Sequence, residues 1–368
     1  MTASTTPQRG PRPRIDPLSA YRRPPVPDDV LKLDANEGAY PPRDLASAVA
    51  AGGAELLRRY PTIAGLERAL ACRLRIADER VIATAGAGDA LDRACRAFLS
   101  PGREVVVPLP SFEMIDRYVR VAWGELTTVP WLTGAFPRDA FLEAAARSPA
   151  AIMLVSPNNP TGAALSGDDL AAVARTAPES LIVLDHAYVE YADEDLTALG
   201  LEFPNVLVVR TLSKAWGLAG CRVGYAIGTP EVLGALRAAG PSYPLAAPSV
   251  AIALEQLARG DDAMHTHIAR VRDERRQLRE ELERLGLRPY PSQANFVLVD
   301  CRRDAAPLRA ALDEHSVRVR DFPDRSGLER HLRITLPGSA GAFTVLVQAL
   351  RDVFATNGND SRLTKESA

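Results

Sequence analysis

Between residues 80 and 230 the chain alternates short, uninterrupted apolar runs with segments whose apolar positions recur at helical spacing. The runs are VIATA (81–85), EVVVPLP (104–110), AIMLVSP (151–157), LIVLD (181–185), VLVVRTLS (206–213) and RVGYAIG (222–228). The segments at helical spacing are GDALDRACRAFL (88–99), FEMIDRYVRVAW (112–123) and DDLAAVARTA (168–177). Continuous Val, Ile and Leu runs, rather than alternation, predict strands covered on both faces. Strands that alternate with helices predict a mostly parallel α/β sheet.

The pattern changes after about residue 245. Residues 248–285 read as one long, heavily charged amphipathic helix. FVLVD (296–300), a helix at 306–315, VRVRDF (317–322), LRITL (332–336) and a closing helix at 341–355 follow. These predict a smaller α+β domain. The expected division is an N-terminal arm over 1–30, a large α/β domain over 31–245, a small α+β domain over 246–356 and a tail over 357–368. Residues 31–55 are expected to be shared with the small domain, and the polar arm to be flexible and to pack against it.

Composition narrows the class. The chain has 368 residues, of which 46% are hydrophobic and 24% charged, as in an ordinary globular protein of one large or two smaller domains. A net charge of −2 argues against a polybasic binder of nucleic acid or membrane. Cys72, Cys95, Cys221 and Cys301 are far apart, which points to reduced thiols in a cytoplasmic protein rather than to a disulfide scaffold. No apolar run approaches the ~18 residues of a membrane span, and the start lacks the apolar core of a secretory signal. The five histidines have no partners at ligand spacing, so no metal site is expected.

In an open α/β sheet the ligand lies at the carboxyl ends of the strands, so the residues just after each run matter most. Gly86-Ala87-Gly88-Asp89-Ala90 opens a helix after the first run and can hold an anion on its N–H groups. A dinucleotide fingerprint fails there, because Leu91 stands where a third glycine belongs. Asn159 follows the third run as an amide donor in an Asn- and Pro-rich turn. Asp185 ends the fourth run, where a poorly solvated acid needs either a cation such as a cofactor's ring nitrogen or the N–H groups of a turn.

The lysine count is decisive. Lys and Arg total 44, and only Lys32, Lys214 and Lys365 are lysines, leaving 41 arginines. Only Lys214 follows a buried strand, between Thr211, Ser213 and Arg222, a set that suits phosphate. A nucleophilic amine, an acid for a ring nitrogen and a phosphate cup together point to pyridoxal phosphate.

The chain resembles the fold type I pyridoxal-phosphate aminotransferases, nearest to the histidinol-phosphate aminotransferase group. The resemblance is carried by LDANEGAYPP (33–42), RYP (59–61), SPNNPTG (156–162), LDHAYVEY (184–191), TLSKAWGLAGCRVGY (211–225), QANFVLV (293–299), VRVRDF (317–322) and LRITLPG (332–338). It implies a large domain with a mostly parallel seven-stranded sheet between helices. It makes Lys214 the Schiff-base lysine and pairs Asp185 with the ring nitrogen. Tyr188 and Asn159 would bond the ring's phenolic oxygen, and Phe112 would stack on the ring. Gly88, Asp89 and Ala90 (through backbone N–H), Thr211, Ser213 and Arg222 would hold the phosphate. Tyr60 would reach that phosphate from a second subunit, which implies a homodimer with shared sites. Arg333 would bind the substrate's carboxylate or phosphate, with Arg320, Tyr21 and Asn36 as further substrate-side residues.

The implied reaction moves an amino group between an L-amino acid, or a histidinol-phosphate-like amine, and a 2-oxo acid by a ping-pong cycle, in amino-acid or specialised-metabolite biosynthesis. Histidinol-phosphate aminotransferase proper, and a lyase, decarboxylase or oxidase on the same fold, are alternatives. So is a non-catalytic pyridoxal-phosphate sensor, although the stretch before residue 30 is short for the DNA-binding domain such regulators carry. Three positions depart from the group's pattern: His186 and Ala90, where an acid is usual, and Gly38-Ala39, where Asn-Pro is usual. On the residues alone, His186 is either a substrate contact or a packed histidine.

Overall fold

The computed structural model describes Pro27 and residues 29–363. The expected arm before Pro27, with Tyr21 in it, and Lys365 lie outside the described residues. The described residues open with β1 (Leu31–Leu33), α1 (Ser47–Arg58) and α2 (Ala64–Leu74). The alternation then begins: β2 (Val81–Thr84), α3 (Ala87–Phe98), β3 (Glu104–Leu109), α4 (Met114–Val121), β4 (Glu125–Pro130), α5 (Arg138–Ala145), β5 (Ala151–Val155), α6 (Gly167–Thr176), β6 (Leu181–Asp185), α7 (Thr197–Gly200), β7 (Val206–Thr211) and β8 (Gly224–Ile227).

These strands form one seven-stranded sheet in the order β2-β8-β7-β6-β5-β3-β4. Its pairings are parallel except those of β8, which runs antiparallel to both β2 and β7. Every residue of β5, β6 and β7 is buried, which explains why those runs carry Val, Ile and Leu without alternation. The edge strand β4 is mostly solvent-facing and polar, so it gave no apolar run to find.

The remainder comprises α8 (Pro230–Ala239), α9 (Ala247–Arg259), α10 (Asp261–Arg284), β9 (Arg288–Pro289), β10 (Phe296–Asp300), α11 (Ala305–Glu314), β11 (Val317–Asp321), β12 (His331–Thr335) and α12 (Ala340–Leu363). A second sheet of five strands has the order β1-β11-β12-β10-β9. Strand β1 pairs parallel with β11, so the residues after Leu33 arrive at the end of this sheet.

Two expectations are corrected. The single helix expected over 248–285 is two helices broken at Gly260, which ends α9 and precedes α10. Arg259 closes the first helix, and Asp261 and Asp262 open the second, each placed favourably for the helix dipole. The closing helix runs on to Leu363, into the stretch expected to be a tail.

Candidate active site

The parallel strands of the large sheet deliver their carboxyl ends to one edge. Because β8 is antiparallel, its amino end reaches the same edge, and Gly224 pairs with both Thr84 and Thr211. Arg222, two residues earlier, is thereby placed against the start of α3. The approach is close: a Cβ on Gly86 would lie 2.6 Å from an Arg222 guanidinium nitrogen, and one on Gly224 would lie 2.4 Å from the Gly86 carbonyl carbon. Gly86 has φ +84, which glycine adopts without strain. Arg222 itself has φ +54 and donates to the Ser213 hydroxyl at 3.4 Å, while Thr211 donates to Ser213 at 2.9 Å. Among the described residues no carboxylate pairs with Arg222. A guanidinium, two hydroxyls and a helix N-terminus face one space, and that set fits a phosphate.

The space is a cavity of about 140 Å³ lined by Ala87, Gly88, Phe112, Val155, Asn159, Asp185, Ala187, Tyr188, Thr211, Ser213, Lys214 and Arg222. Asp185, at the end of β6, is 4% exposed and accepts one bond, from the Ala187 N–H at 3.0 Å. Burial pushes its carboxyl up to about 6, opposed by that N–H and by the Lys214 charge. A buried carboxylate so placed fits a protonated ring nitrogen. Lys214 Nζ donates to the Ala35 carbonyl at 3.2 Å and stands 5.5 Å from the centre of the Tyr188 ring.

A second cavity, of about 160 Å³, adjoins the first through Phe112, Asn159, Tyr188 and Lys214. Arg333, in β12, is buried here. It donates to Asn159 Oδ1 and to the Asp34 carbonyl, each at 2.6 Å, and its Nε has no partner. The bond commits the amide oxygen of Asn159, leaving its nitrogen as the donor toward the first cavity. Burial lowers the Arg333 guanidinium to about 10, still protonated at neutral pH. The Tyr188 hydroxyl accepts from Asn36 Nδ2 at 3.0 Å, and Asn36 is in turn held by Thr335. Burial raises the Tyr188 hydroxyl above its ordinary range, opposed by Arg333 and Asn36.

Lys214, Asp185, Tyr188, Asn159, Phe112, Gly88, Thr211, Ser213 and Arg222 thus meet around the first cavity, and Arg333, Arg320 and Asn36 around the second. Asp89 and Ala90 do not line either. The Asp89 carboxylate accepts from the Ala85 N–H and pairs with Arg93, and Ala90 is in the core. Tyr60 lies outside both cavities, 78% exposed and stacked on Tyr243.

His186 resolves as a packed residue. Its Nδ1 is bonded to the Ser156 carbonyl and its Nε2 accepts from the Leu196 N–H, so burial, which lowers it to about 4, leaves it neutral. Gly38 is explained by space, because a Cβ there would lie 1.5 Å from the Lys214 carbonyl oxygen. Sequence reasoning missed Glu113 and Arg325 in the second cavity, for neither sits at a strand end and 41 arginines hide any one of them.

The sheet order and this pair of cavities define a fold type I pyridoxal-phosphate enzyme. The chain belongs to the aminotransferase class I and II family, whose model matches residues 28–350. It is 33% identical over 350 residues to histidinol-phosphate aminotransferase 1 of Trichormus variabilis, covering 93% of this chain and 98% of that one. It is 32% identical over 323 residues to an aromatic amino acid aminotransferase of Corynebacterium efficiens, covering 85% and 90%. Among solved structures, histidinol-phosphate aminotransferase from Sinorhizobium meliloti in complex with pyridoxal-5'-phosphate superposes with a TM-score of 0.81 at 28% identity, covering 89% of this chain and 91% of that one. The expected fold, cofactor and transaminase activity are borne out.

Proposed function

We propose that this transaminase exchanges an amino group between an L-amino acid, or a histidinol-phosphate-like amine, and a 2-oxo acid, with Lys214 as the catalytic amine. The observation that carries the reading is that Lys214 and Asp185 line one cavity, with Arg222 at one end and Arg333 beyond the other. When bound, pyridoxal phosphate supplies an aldehyde that links covalently to amines and a ring that takes up an electron pair.

The chain's residues supply the rest. Asp185, kept ionised by the positive charge that would lie opposite it, would hold a proton on the ring nitrogen. Thr211, Ser213, Arg222 and the N–H groups of Ala87 and Gly88 would hold the phosphate. Phe112 and Ala187 give apolar walls. Tyr188, steadied by Asn36, and the Asn159 amide would donate to the ring's oxygen. Lys214 Nζ, once the amino donor has taken its place, would remove the proton from the donor's α-carbon and deliver it to the cofactor within the same half of the cycle, and would move a proton in the reverse sense in the second half. Arg333 anchors the substrate's anion.

His186 and Ala90 are both off the cavity lining, so neither argues against histidinol phosphate, the substrate in the name of the Trichormus variabilis relative. We also propose a homodimer. Tyr40 at 90% exposure, Leu57 and the Tyr60–Tyr243 stack are large apolar groups left exposed, as a second copy's contact would require, and such a contact would bring Tyr60 to the partner's phosphate. Four free cysteines agree with a cytoplasmic setting.

Borohydride reduction of the loaded protein, followed by peptide mapping, is expected to fix the cofactor on the Lys214 peptide. Label on Lys32 or Lys365, or no visible absorbance after reconstitution, would overturn the assignment.

A further inference from the structure

One buried side chain ties together the two loops that carry the donors to the ring's oxygen. Strands β5 and β6 pair with Val155 opposite Asp185, so Ser156 and His186 are the first residues beyond them. The loop after β5 brings Asn159 to the first cavity, and the loop after β6 brings Tyr188. His186, 1% exposed, lines neither cavity but bridges the two loops. Its Nδ1 is bonded to the Ser156 carbonyl, three residues before Asn159. Its Nε2 accepts from the Leu196 N–H at 3.2 Å, which closes the loop that carries Tyr188 at its far end.

These partners fix the proton on the ring. A carbonyl only accepts and a backbone N–H only donates, so Nδ1 carries the hydrogen and Nε2 the lone pair. The neutral imidazole satisfies both groups, whereas a protonated one would set Nε2–H against the Leu196 N–H. The charges of Asp195 and Arg210 act on the ring in opposite senses and pair with each other at 3.0 Å.

Each loop is also held within itself. In the first, Gly162 N–H donates to the Asn158 carbonyl at 2.6 Å and Asn158 N–H to the Ala163 carbonyl at 2.7 Å. In the second, Arg210 of β7 donates to Glu190 and Asp195 at 3.0 Å and to Thr197 at 3.3 Å. His186 joins one such unit to the other. Two donors converge on a single oxygen only when the spacing between their loops is held closely.

We propose that His186 is a positioning residue, a neutral crosslink that sets Asn159 and Tyr188, with Asp185 beside it, around the cofactor's ring without touching the cofactor. This rests on the reading of those three residues as the ring's polar partners given above.

The test uses the loaded holoenzyme and two readouts of the cofactor: the pH at which its visible absorbance changes, and the circular dichroism of that band. Loosened donors stabilise negative charge on the ring's oxygen less well. His186→Leu is therefore expected to move the absorbance transition to higher pH by about half a unit or more, roughly a threefold change in the equilibrium, and to weaken the dichroic band. His186→Gln, whose amide offers one donor and one acceptor as the neutral ring does, is expected to restore most of both. His186→Asn, shorter and able to keep only one of the two bonds, is expected to give a smaller shift in the same direction, and it carries the test if His186→Leu does not fold.

Asn205→Ala is the control for stability alone. Its amide donates to three carbonyls, of Ala174, Ala177 and Ser180, just before β7 at the opposite end of the sheet. It is expected to lower the melting temperature and leave both readouts unchanged. Wild-type values of both readouts in the Leu and Asn variants, or equal shifts in Asn205→Ala, would overturn the proposal. A wild-type protein that takes up no cofactor defeats the functional reading itself, whereas one that loads and ignores the loss of His186 defeats only this inference.

Discussion

The cofactor end of the cavity is built from residues within a few positions of strand ends in one sheet, whereas the substrate end draws on the second sheet and on loops far apart in sequence. Asp185, Thr211, Ser213 and Lys214 follow β6 and β7, and Arg222 precedes β8, which pairs with β7. Asn36, Glu113, Arg320, Arg325 and Arg333 come from five separate places. The first set inherits its geometry from backbone hydrogen bonds and a covered sheet. The second is held by side-chain contacts between elements, such as Arg333 to Asn159 and Asn36 to Tyr188. The shared chemistry therefore sits on the stiffer frame, and the discriminating contacts sit where substitution disturbs least.

The largest test of this contrast is Lys214→Ala. Turnover should fall by at least ~10³-fold, because nucleophile and proton carrier are removed together. Steady-state assay within tenfold of wild type would place the reactive amine elsewhere. Next comes a crossed pair. Arg333→Leu should raise the donor's KM roughly 100-fold with little change in cofactor affinity, since a buried charge-assisted contact is lost. Arg222→Leu should do the reverse, weakening cofactor binding about 10- to 100-fold with a smaller effect on KM. If both variants damage both quantities alike, the two ends are one unit and the comparison fails.

The smallest effect is on stability. In the cofactor-free protein the Asp185 carboxyl is raised to about 6 from 3.8. The folded state therefore binds a proton that the unfolded chain has released. Its cost to the fold is absent below pH 4, grows as pH rises from about 4 to 6, and is fully present above, on the order of 3 kcal/mol. Cofactor-free Asp185→Asn should thus melt above wild type at pH 7.5, and the gap should close as pH falls toward 4. A gap that does not depend on pH would mean that Lys214 and the Ala187 N–H already offset the burial.

Legibility followed the same division. Buried strands announce themselves because both faces need apolar side chains, and β5, β6 and β7 were visible for that reason. The edge strand β4 was not, because solvent leaves its composition free. The break at Gly260 was written in the Arg-Gly-Asp-Asp order, but the long amphipathic pattern on both sides masked it. His186 stood open between a substrate contact and a packed residue until two backbone bonds settled it.

By itself the sequence determined the alternating sheet and singled out Lys214, Asp185 and the hydroxyl and guanidinium groups at the strand ends as the candidates for cofactor chemistry. It could do so because strand burial is a local pattern and because Lys214 is one of only three lysines. The tertiary structure alone brought Arg325 into the second cavity, showed that antiparallel β8 brings Arg222 to the start of α3, and joined Glu113 to Arg320 across 207 positions of chain. Those are non-local meetings, and no pattern along a chain encodes the distance between residues brought together from different elements.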